Sequence, residues 1–83
     1  MSKIYIINFN DSVTLNNVSI ILDVSFFETY VTVSVEEDNI TGYTYQLQVN
    51  NNNNNDTLEG FTLIGSAINQ NGSVYLYIKK VVE

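Results

Sequence analysis

A change of phase between two apolar alternations, within Val18–Val35, constrains the fold of this chain more than any other feature. The first alternation is even-numbered: Val18, Ile20, Leu22, Val24 and Phe26. The second is odd-numbered: Val31, Val33 and Val35. A period of two is typical of a strand with one buried face, and a slip of one residue moves every side chain to the opposite face. The pattern therefore predicts two strands with a turn or bulge near Phe27-Glu28-Thr29, and the β-branched residues that follow limit any helix there to about one turn.

Further strands are predicted on both sides of this stretch. The N-terminal run Lys3–Phe9 is rich in strand-forming residues. The later pair Asn16-Asn17 is either a two-residue turn or a bulge, and we favour the turn. The segments 30–36 and 41–49 both alternate, and turn-forming residues connect them, so they are predicted to pair as a hairpin.

The C-terminal third carries the strongest short hairpin signal, the dipeptide Asn71-Gly72 between the segments 58–70 and 73–82. A two-residue turn there opposes Gln70 to Ser73, Ala67 to Leu76, Gly65 to Ile78 and Leu63 to Lys80. Together with the strands above, this hairpin predicts an all-β fold, a small antiparallel barrel or sandwich of six to seven strands.

Composition bounds the size of the fold and the ligands it can take. A chain of 83 residues holds one core, so we expect a single domain over residues 1–83. Within it the asparagine-rich stretch 50–56 is predicted to be a mobile loop. The net charge of −6 argues against nucleic-acid binding, because phosphate contacts depend on Lys and Arg.

The N-terminal segment does not resemble a signal peptide. Its apolar run, Ile4 to Ile7, is shorter than the core of a signal peptide, and no run approaches the roughly 20 residues that cross a bilayer. We therefore expect no membrane association, and a protein that works in the cytoplasm or in a particle assembled there.

Few residues of this chain could carry chemistry. Histidine and cysteine are absent, which excludes the commonest general base and the thiol nucleophile. Asp23 could act as a general base on an apolar strand, but a solvated strand position is the more frequent role of such an acid. The acidic run 36–38 could hold Ca²⁺, but it lacks the alternating spacing of a calcium loop. We predict no catalytic residue, no metal site and no cofactor, and therefore no enzyme.

Apolar side chains on the second faces of strands are candidates for a contact surface. They are Ile21, Phe27, Ile64, Ile68, Tyr75 and Tyr77. A domain this small has too little chain to cover both faces of a sheet, and a large exposed apolar patch marks a site of protein contact. A closed barrel is the alternative, because it could enclose one of these groups.

These features predict a non-enzymatic structural or assembly module that is homo-oligomeric, such as a small accessory protein of a virus or phage. Its partners are then other copies of itself and, in addition, another protein. The alternative is an acidic inhibitor that binds a host protein or sequesters a small ligand, as an anti-defence protein does. The net charge of −6 and the six tyrosines favour this alternative, since tyrosine with asparagine and serine is typical of binding surfaces.

Overall fold

Six strands make up the regular structure of this protein. A computed structural model describes residues 1–51, 59–70 and 72–81. The strands are β1 (Ser2–Asn8), β2 (Ser12–Phe26), β3 (Tyr30–Glu37), β4 (Tyr43–Asn51), β5 (Thr62–Asn69) and β6 (Gly72–Val81). The described residues form no helix, and thus none that is long and apolar enough to cross a membrane. The predicted all-β class is confirmed, with six strands.

The strands form a single sheet in the order β1-β3-β2-β4-β6-β5. All hydrogen-bonded neighbours in it are antiparallel. Hydrogen bonds between the described strands do not close the sheet, and β1 and β5 are its two edges. The open sheet does not decide between the two predicted architectures, the barrel and the sandwich.

Strand β2 joins two halves of this sheet. Its first part, Ser12 to Val18, pairs with β4, and its second part, Val18 to Phe26, pairs with β3. We call β1, β3 and the second part of β2 the N-terminal half. The first part of β2 with β4, β6 and β5 is the C-terminal half. The position where β2 changes partner therefore determines how the two halves meet.

The pair Asn16-Asn17 lies at this change of partner and forms a bulge, so the turn that we favoured from the sequence is wrong. Leu15 pairs with Tyr45 and Val18 with Tyr43, which leaves one extra residue in β2. Asn17 has a φ of 62°, a left-handed conformation that Asn adopts at lower cost than most residues. A turn and a bulge both need a residue that tolerates a positive φ. The asparagine pair therefore did not show which of the two would form.

The loop between β3 and β4 packs against this bulge. The N–H of Asp38 donates to the carbonyl oxygen of Asn17 at 2.8 Å, and the N–H of Gly42 donates to the carbonyl oxygen of Asp38 at 2.9 Å. A Cβ atom at position 42 would lie 2.3 Å from the carbonyl carbon of Asn17. Two backbones meet there, and only glycine leaves room for the contact.

The predicted hairpin between the segments 30–36 and 41–49 is wrong. Both segments are strands, but β2 lies between them in the sheet. The prediction assumed that strands joined by a short turn pair with each other. Here the bulge at Asn17 lets one long strand pair with β4 and then with β3, so the loop passes across β2 from one half to the other.

Aliphatic side chains from five strands form the core on the inner side of the sheet. They are Ile7, Leu15, Val18, Val31, Val33, Val35, Leu47, Val49, Val74 and Leu76. Both halves contribute to this set. Full burial of one such side chain stabilises the fold by roughly 1.5–3 kcal/mol, so the set supplies most of the hydrophobic stabilisation.

The inner side of β2 follows a period of three between Leu15 and Val24 and a period of two at both ends. The residues that face or pack against the core are Val13, Leu15, Val18, Ile21, Val24 and Phe26. The register of β2 against β3 shifts between Val18 and Ile20, and again between Ile21 and Asp23. Each bulge adds one residue and changes the phase. Consequently Ile20 and Leu22, which the alternation places on the buried face, are exposed.

Phe26, at the end of β2, contacts the far edge of the sheet. Its ring lies close to β5, where a Cβ at Gly65 would be 3.1 Å from the ring atom Cζ. Glycine at position 65 therefore leaves space for the ring of Phe26, because it has no side chain. This contact brings the end of the N-terminal half against the edge of the C-terminal half.

Strands β5 and β6 form the predicted C-terminal hairpin in a different register. Ala67 pairs with Val74 and Gly65 with Leu76, where the sequence predicts Leu76 and Ile78 as partners. The difference is two residues, and because side chains alternate with a period of two, the residues of β6 keep their faces. The core position of Val74 and Leu76 is therefore as predicted, while their partners are not.

The two ends of this hairpin also differ from the prediction. Asn69 pairs with Gly72, so the connection consists of positions 70 and 71, of which Asn71 lies outside the described residues. At the other end, Ile64 is an extra residue that shifts the register of β5. The other predicted pairs, Gln70 with Ser73 and Leu63 with Lys80, are replaced by Ile68 with Ser73 and Leu63 with Tyr77.

The asparagine-rich stretch 50–56 begins inside a strand. Asn50 and Asn51 belong to β4 and pair with Tyr75 and Val74 of β6. These two residues are therefore not part of a loop. The remainder of the predicted mobile loop lies outside the described residues.

Candidate interaction surface

The outer side of the N-terminal half carries a group of exposed aliphatic side chains. Register opposes Ile4 to Ser34 and Ile6 to Thr32, and these residues alternate with core positions, so they point away from the core. The exposed fractions are 66% for Ile4 and Ile6 of β1, 56% for Ile20 of β2 and 52% for Leu22 of β2. We call these four residues and the outward residues of β3 between them the aliphatic face.

A shallow trough runs along β3 within the aliphatic face. Its floor consists of Thr32 and Ser34, whose side chains are half-buried. The aliphatic residues of β1 form a ridge on one side. On the other side Asp23 and Ser25 of β2 lie opposite Ser34 and Thr32, with Leu22 at the bulge and Ile20 opposite Glu36. At one end the ring of Phe27 stacks on Tyr30, with centroids 4.8 Å apart. The trough thus has an apolar wall on β1, a largely polar wall on β2, a hydroxyl floor and an aromatic end.

The opposite end of the trough carries a compensated charge. The N-terminal ammonium of Met1 donates to the carboxylate of Glu36, and the hydroxyl of Ser2 donates to the same carboxylate at 2.9 Å. These hydrogen bonds, that of the ammonium first, hold the pKa of Glu36 below its ordinary value. Both partners are exposed, so the ion pair itself stabilises little, but it offsets the charge at this end of the face.

The two acids that follow are also engaged within the chain. The hydroxyl of Tyr5 donates to Oε2 of Glu37 at 2.6 Å, and this hydrogen bond raises the pKa of Tyr5. Asp38 accepts from the N–H of Ile40 at 2.8 Å and from the hydroxyl of Thr41 at 2.9 Å, which lowers the pKa of Asp38. Within the described ranges, no three side chains of acidic, His or Cys type are placed to hold a metal ion.

The outer side of the C-terminal half is polar on β2 and β4, whereas β5 exposes Leu63, Ile64 and Ile68. The outward residues of β2 and β4 there are Ser12, Thr14, Thr44, Gln46, Gln48 and Asn50. The amide of Gln48 donates to Oδ1 of Asn50 at 3.0 Å. Phe61 lines a groove of about 140 Å³ together with Ser12, Thr14, Gln46 and Gln48, and the ammonium of Lys79 lies 5.8 Å from the ring centroid of Phe61. The groove is smaller than the roughly 300–1,000 Å³ of typical small-molecule sites.

The two predicted contact residues of the opening stretch do not share a face. Ile21 is half-buried and packs against the core, because the bulges of β2 turn it inward. Phe27 is exposed and lies beyond the end of β2. Of these two, Phe27 alone can contribute to a surface, at the aromatic end of the trough.

The four predicted contact residues of the C-terminal hairpin differ in how exposed they are. Tyr77 is 3% exposed and offers no surface to a partner. Tyr75 is half-buried, with its ring centroid 6.4 Å from that of Tyr77. Ile68 is 86% exposed and, with Tyr75, lines a cleft of about 380 Å³, and Ile64 is exposed at the bulge of β5. For Ile64 and Ile68, which are exposed, a role in an interface stays a prediction.

Sequence reasoning missed the aliphatic face. The run Ile4–Ile7 is apolar at every position, so it does not indicate which residues point outward. Pairing with β3 decides this, because the odd-numbered core valines of β3 oppose Tyr5 and Ile7 and leave the even-numbered isoleucines outside. For Ile20 and Leu22 the alternation was misleading, and no local signal reveals the bulges.

Comparison with known proteins found no match: no protein-family model, no curated protein and no solved structure matches this chain. Resemblance therefore adds nothing to the fold or to the candidate surface. A proposal about function depends on the surface chemistry of the described residues, above all on the contrast between the aliphatic face and the polar outer side of β2 and β4 in the other half.

Proposed function

We propose that this chain is a non-enzymatic assembly module that functions by associating with copies of itself. The observation that supports this best is the aliphatic face, where four branched side chains are half to two-thirds exposed on the flat side of a sheet. Scattered apolar residues are normal on protein surfaces, but two aliphatic pairs that flank one strand on the same face support a contact site. A small accessory component of a viral or phage particle, assembled in the cytoplasm, is a setting that suits such a module.

The two sheet edges differ in a way that agrees with this proposal. Strand β1 pairs with β3 over seven residues without a shift in register, and Lys3 is its one charged residue. A regular free edge is a template for pairing with another chain. Strand β5, in contrast, contains the bulge at Ile64, and bulges protect an edge from such pairing. The strand that is open to association therefore belongs to the half that carries the aliphatic face.

The energetics of association through this face are favourable but modest. Full burial of an Ile or Leu side chain contributes roughly 1.5–3 kcal/mol, so eight partly exposed side chains in a dimer contribute roughly 10 kcal/mol. Lost translational and rotational freedom offsets about 4 kcal/mol or more of this. The remainder of at most about 6 kcal/mol corresponds to a Kd of tens of micromolar or weaker.

The alternative, an acidic inhibitor of a basic partner, has less support. The net charge of −6 favours it, but its densest acidic run is engaged within the chain. Glu36 accepts from the N-terminal ammonium, Glu37 from Tyr5, and Asp38 from its own loop. A basic partner would have to compete with these hydrogen bonds. We therefore rank self-association first.

Sedimentation equilibrium of the wild type tests the proposal. We expect the average mass to rise from that of one chain toward that of two between about 1 µM and about 500 µM, the range that spans the Kd given above. A mass of one chain over the whole range would contradict self-association and would leave the inhibitor as the remaining proposal.

A further inference from the structure

We infer that two copies of this chain join edge to edge, with their β1 strands paired antiparallel about a two-fold axis at Tyr5. Strand β1 ends the sheet beside β3, so its outer edge is not hydrogen-bonded to any described strand. The inference rests on the proposed function, self-association, and adds the strand, the partner and the register of the contact. The occupant of the edge is a second copy of the same chain.

Two hydrogen bonds at the ends of β1 indicate which of its backbone groups face outward. The N–H of Glu37 donates to the carbonyl oxygen of Met1 at 2.9 Å, and the N–H of Phe9 donates to the carbonyl oxygen of Thr29 at 3.2 Å. Both pairs continue the unshifted register of β1 against β3, and in an antiparallel ladder such bonded pairs alternate with non-bonded pairs. The odd-numbered residues of β1 therefore bond to β3. The even-numbered residues direct their N–H and C=O groups to the open edge, and they are Ser2, Ile4, Ile6 and Asn8.

This backbone pattern is complementary to itself about Tyr5. An antiparallel two-fold axis there pairs Ile4 with Ile6 of the other copy, and each such pair can exchange two hydrogen bonds. Ser2 is paired with Asn8 at the ends of the strand, where the carbonyl oxygen of Asn8 already accepts within its own turn and leaves fewer free groups. An axis at Ile4 or Ile6 would leave two residues of each strand unpaired. The register about Tyr5 is therefore the one that uses the whole of β1.

The side chains on the outer side of the sheet agree with this register. Ile4 lies beside Ile6 of the other copy at the centre of the contact, and the polar residues Ser2 and Asn8 lie beside each other at its ends. Side chains opposite each other on two paired strands interact directly. The isoleucines, each 66% exposed in the single chain, then cover part of one another. The β1 part of the aliphatic face thus contributes to the contact.

On the inner side the axis brings the half-buried Tyr5 of one copy beside Tyr5 of the other. The neighbouring pair, Lys3 with Ile7, is unlike in polarity. The ammonium of Lys3, however, lies 5.1 Å from the ring centroid of Tyr5 in its own chain. Its charge is therefore held at the tyrosine pair by a cation–π contact and not against Ile7.

The antiparallel direction also keeps the acidic ends of the two copies apart. Register opposes Ser2 to Glu36, so the acidic run 36–38 lies near the start of β1, three residues from the axis. In the joined sheet the two Glu36 positions lie about 25 Å apart at opposite ends of the contact. This distance exceeds the screening length of about 8 Å at physiological salt. A parallel contact would bring both runs to the same end, so the charge of the chain favours the antiparallel one.

A proline substitution tests the role of the backbone. Ile6→Pro removes an N–H that points to the open edge and leaves the bonds to β3, a position where edge strands tolerate proline. Ile6→Ala is the matched control, because it keeps this N–H and removes most of the side chain. We expect Ile6→Pro to raise the Kd for dimerisation by at least about 100-fold and Ile6→Ala by about tenfold or less. Circular dichroism should show an unchanged strand spectrum for both.

The outcomes of this comparison separate the inference from the proposed function. An equal Kd for Ile6→Pro and Ile6→Ala would mean that side chains alone form the contact, and it would overturn edge pairing while self-association stands. A monomeric wild type would overturn the proposed function itself.

Cysteine cross-linking tests the register independently of affinity, since the chain has no cysteine of its own. Position 5 of the two copies forms a non-hydrogen-bonded pair with Cα atoms about 4.5 Å apart, within the roughly 4.4–6.8 Å of disulfides. Position 3, on the same side of β1, lies about 14 Å from its counterpart. We expect mild oxidation to give a covalent dimer with Tyr5→Cys and not with the matched control Lys3→Cys. Cross-linking of Lys3→Cys as fast as that of Tyr5→Cys, or no cross-linking of Tyr5→Cys, would overturn the register.

Discussion

The two halves of the sheet have similar inner sides and different outer sides. Valine, leucine and isoleucine from both halves form one core. On the outside, the N-terminal half exposes four aliphatic side chains, while the C-terminal half presents hydroxyl and amide groups on β2 and β4 and exposes Leu63, Ile64 and Ile68 on β5. Both halves need an apolar inner side to form the common core. The polar outer side of β2 and β4 needs no partner, whereas the exposed aliphatic residues of the N-terminal half support our proposal of association.

The halves also differ in how their outer sides are covered. Phe61, which precedes β5, lies over the polar side near Lys79, and Tyr77 on that side is buried. The four aliphatic side chains of the aliphatic face keep half or more of their surface in contact with water. An aromatic residue that is covered within its own chain needs no partner, whereas an uncovered aliphatic group gains from one.

The junction between the halves should be the most sensitive position in the fold. Gly42→Ala forces a Cβ into the backbone of Asn17, and we expect a loss of about 3 kcal/mol in the free energy of unfolding. Gly65→Ala is the matched control, because its Cβ meets only the ring of Phe26, which can shift, and should cost about 1 kcal/mol or less. Urea unfolding measures both. An equal cost for the two substitutions would contradict a close backbone contact at the junction.

Within the N-terminal half, buried and exposed apolar residues should affect different properties. Val33→Ala empties a fully buried position and should cost about 2 kcal/mol in the free energy of unfolding. Ile6→Ala should change that free energy by less than about 1 kcal/mol, since most of the side chain is exposed. It should nevertheless weaken association. Urea unfolding at low protein concentration, with sedimentation at high concentration, separates the two effects. A stability loss with Ile6→Ala as large as that with Val33→Ala would mean that Ile6 serves the fold.

Salt should change association in opposite directions under the two proposed functions. Two copies of net charge −6 repel each other, and salt screens this repulsion, so we expect the dimer to tighten a few-fold between about 50 and 500 mM salt. An acidic inhibitor would instead lose affinity for a basic partner as salt rises. A dimer that dissociates steeply with salt would show that ion pairs, and not the aliphatic face, hold it together.

Acid should reduce the stabilisation that the loop between β3 and β4 provides, and this effect should be smaller than those predicted above. The hydrogen bonds from Ile40 and Thr41 lower the pKa of Asp38 in the folded protein. A lowered folded pKa means that the stabilisation is complete above the ordinary pKa of an aspartate and is lost as the pH falls through the lowered value. Asp38→Asn retains an acceptor oxygen but should remove this part of the pH dependence. Urea unfolding across this pH range is the measurement, and an unchanged profile in Asp38→Asn would assign the effect to other acids such as Glu36.

Features with a local sequence signal could be predicted for this fold. Alternation placed the strands, and Asn-Gly marked the C-terminal hairpin. The exposure of Phe27 and Ile68 also agreed with their candidate positions on a second face. Each of these features depends on a few neighbouring residues, so a single chain contains enough information for it.

Features that depend on bulges could not be predicted. Ser19 and Leu22 are ordinary strand residues, yet the register shifts beside them reverse the faces of Ile20 and Ile21. The bulge at Asn17 likewise separates β3 from β4 by letting β2 pair with both. A bulge depends on how two strands fit together, and that information is distributed between strands far apart in the sequence.

A mixed dimer with methyl labels on one copy tests the central claim most directly. Isotope-filtered NMR of such a sample detects only proton contacts between the two copies. Association through the aliphatic face predicts contacts between the two copies from the methyl groups of Ile4 and Ile6. Contacts between copies that involve Ile68, with none from Ile4 or Ile6, would contradict the account.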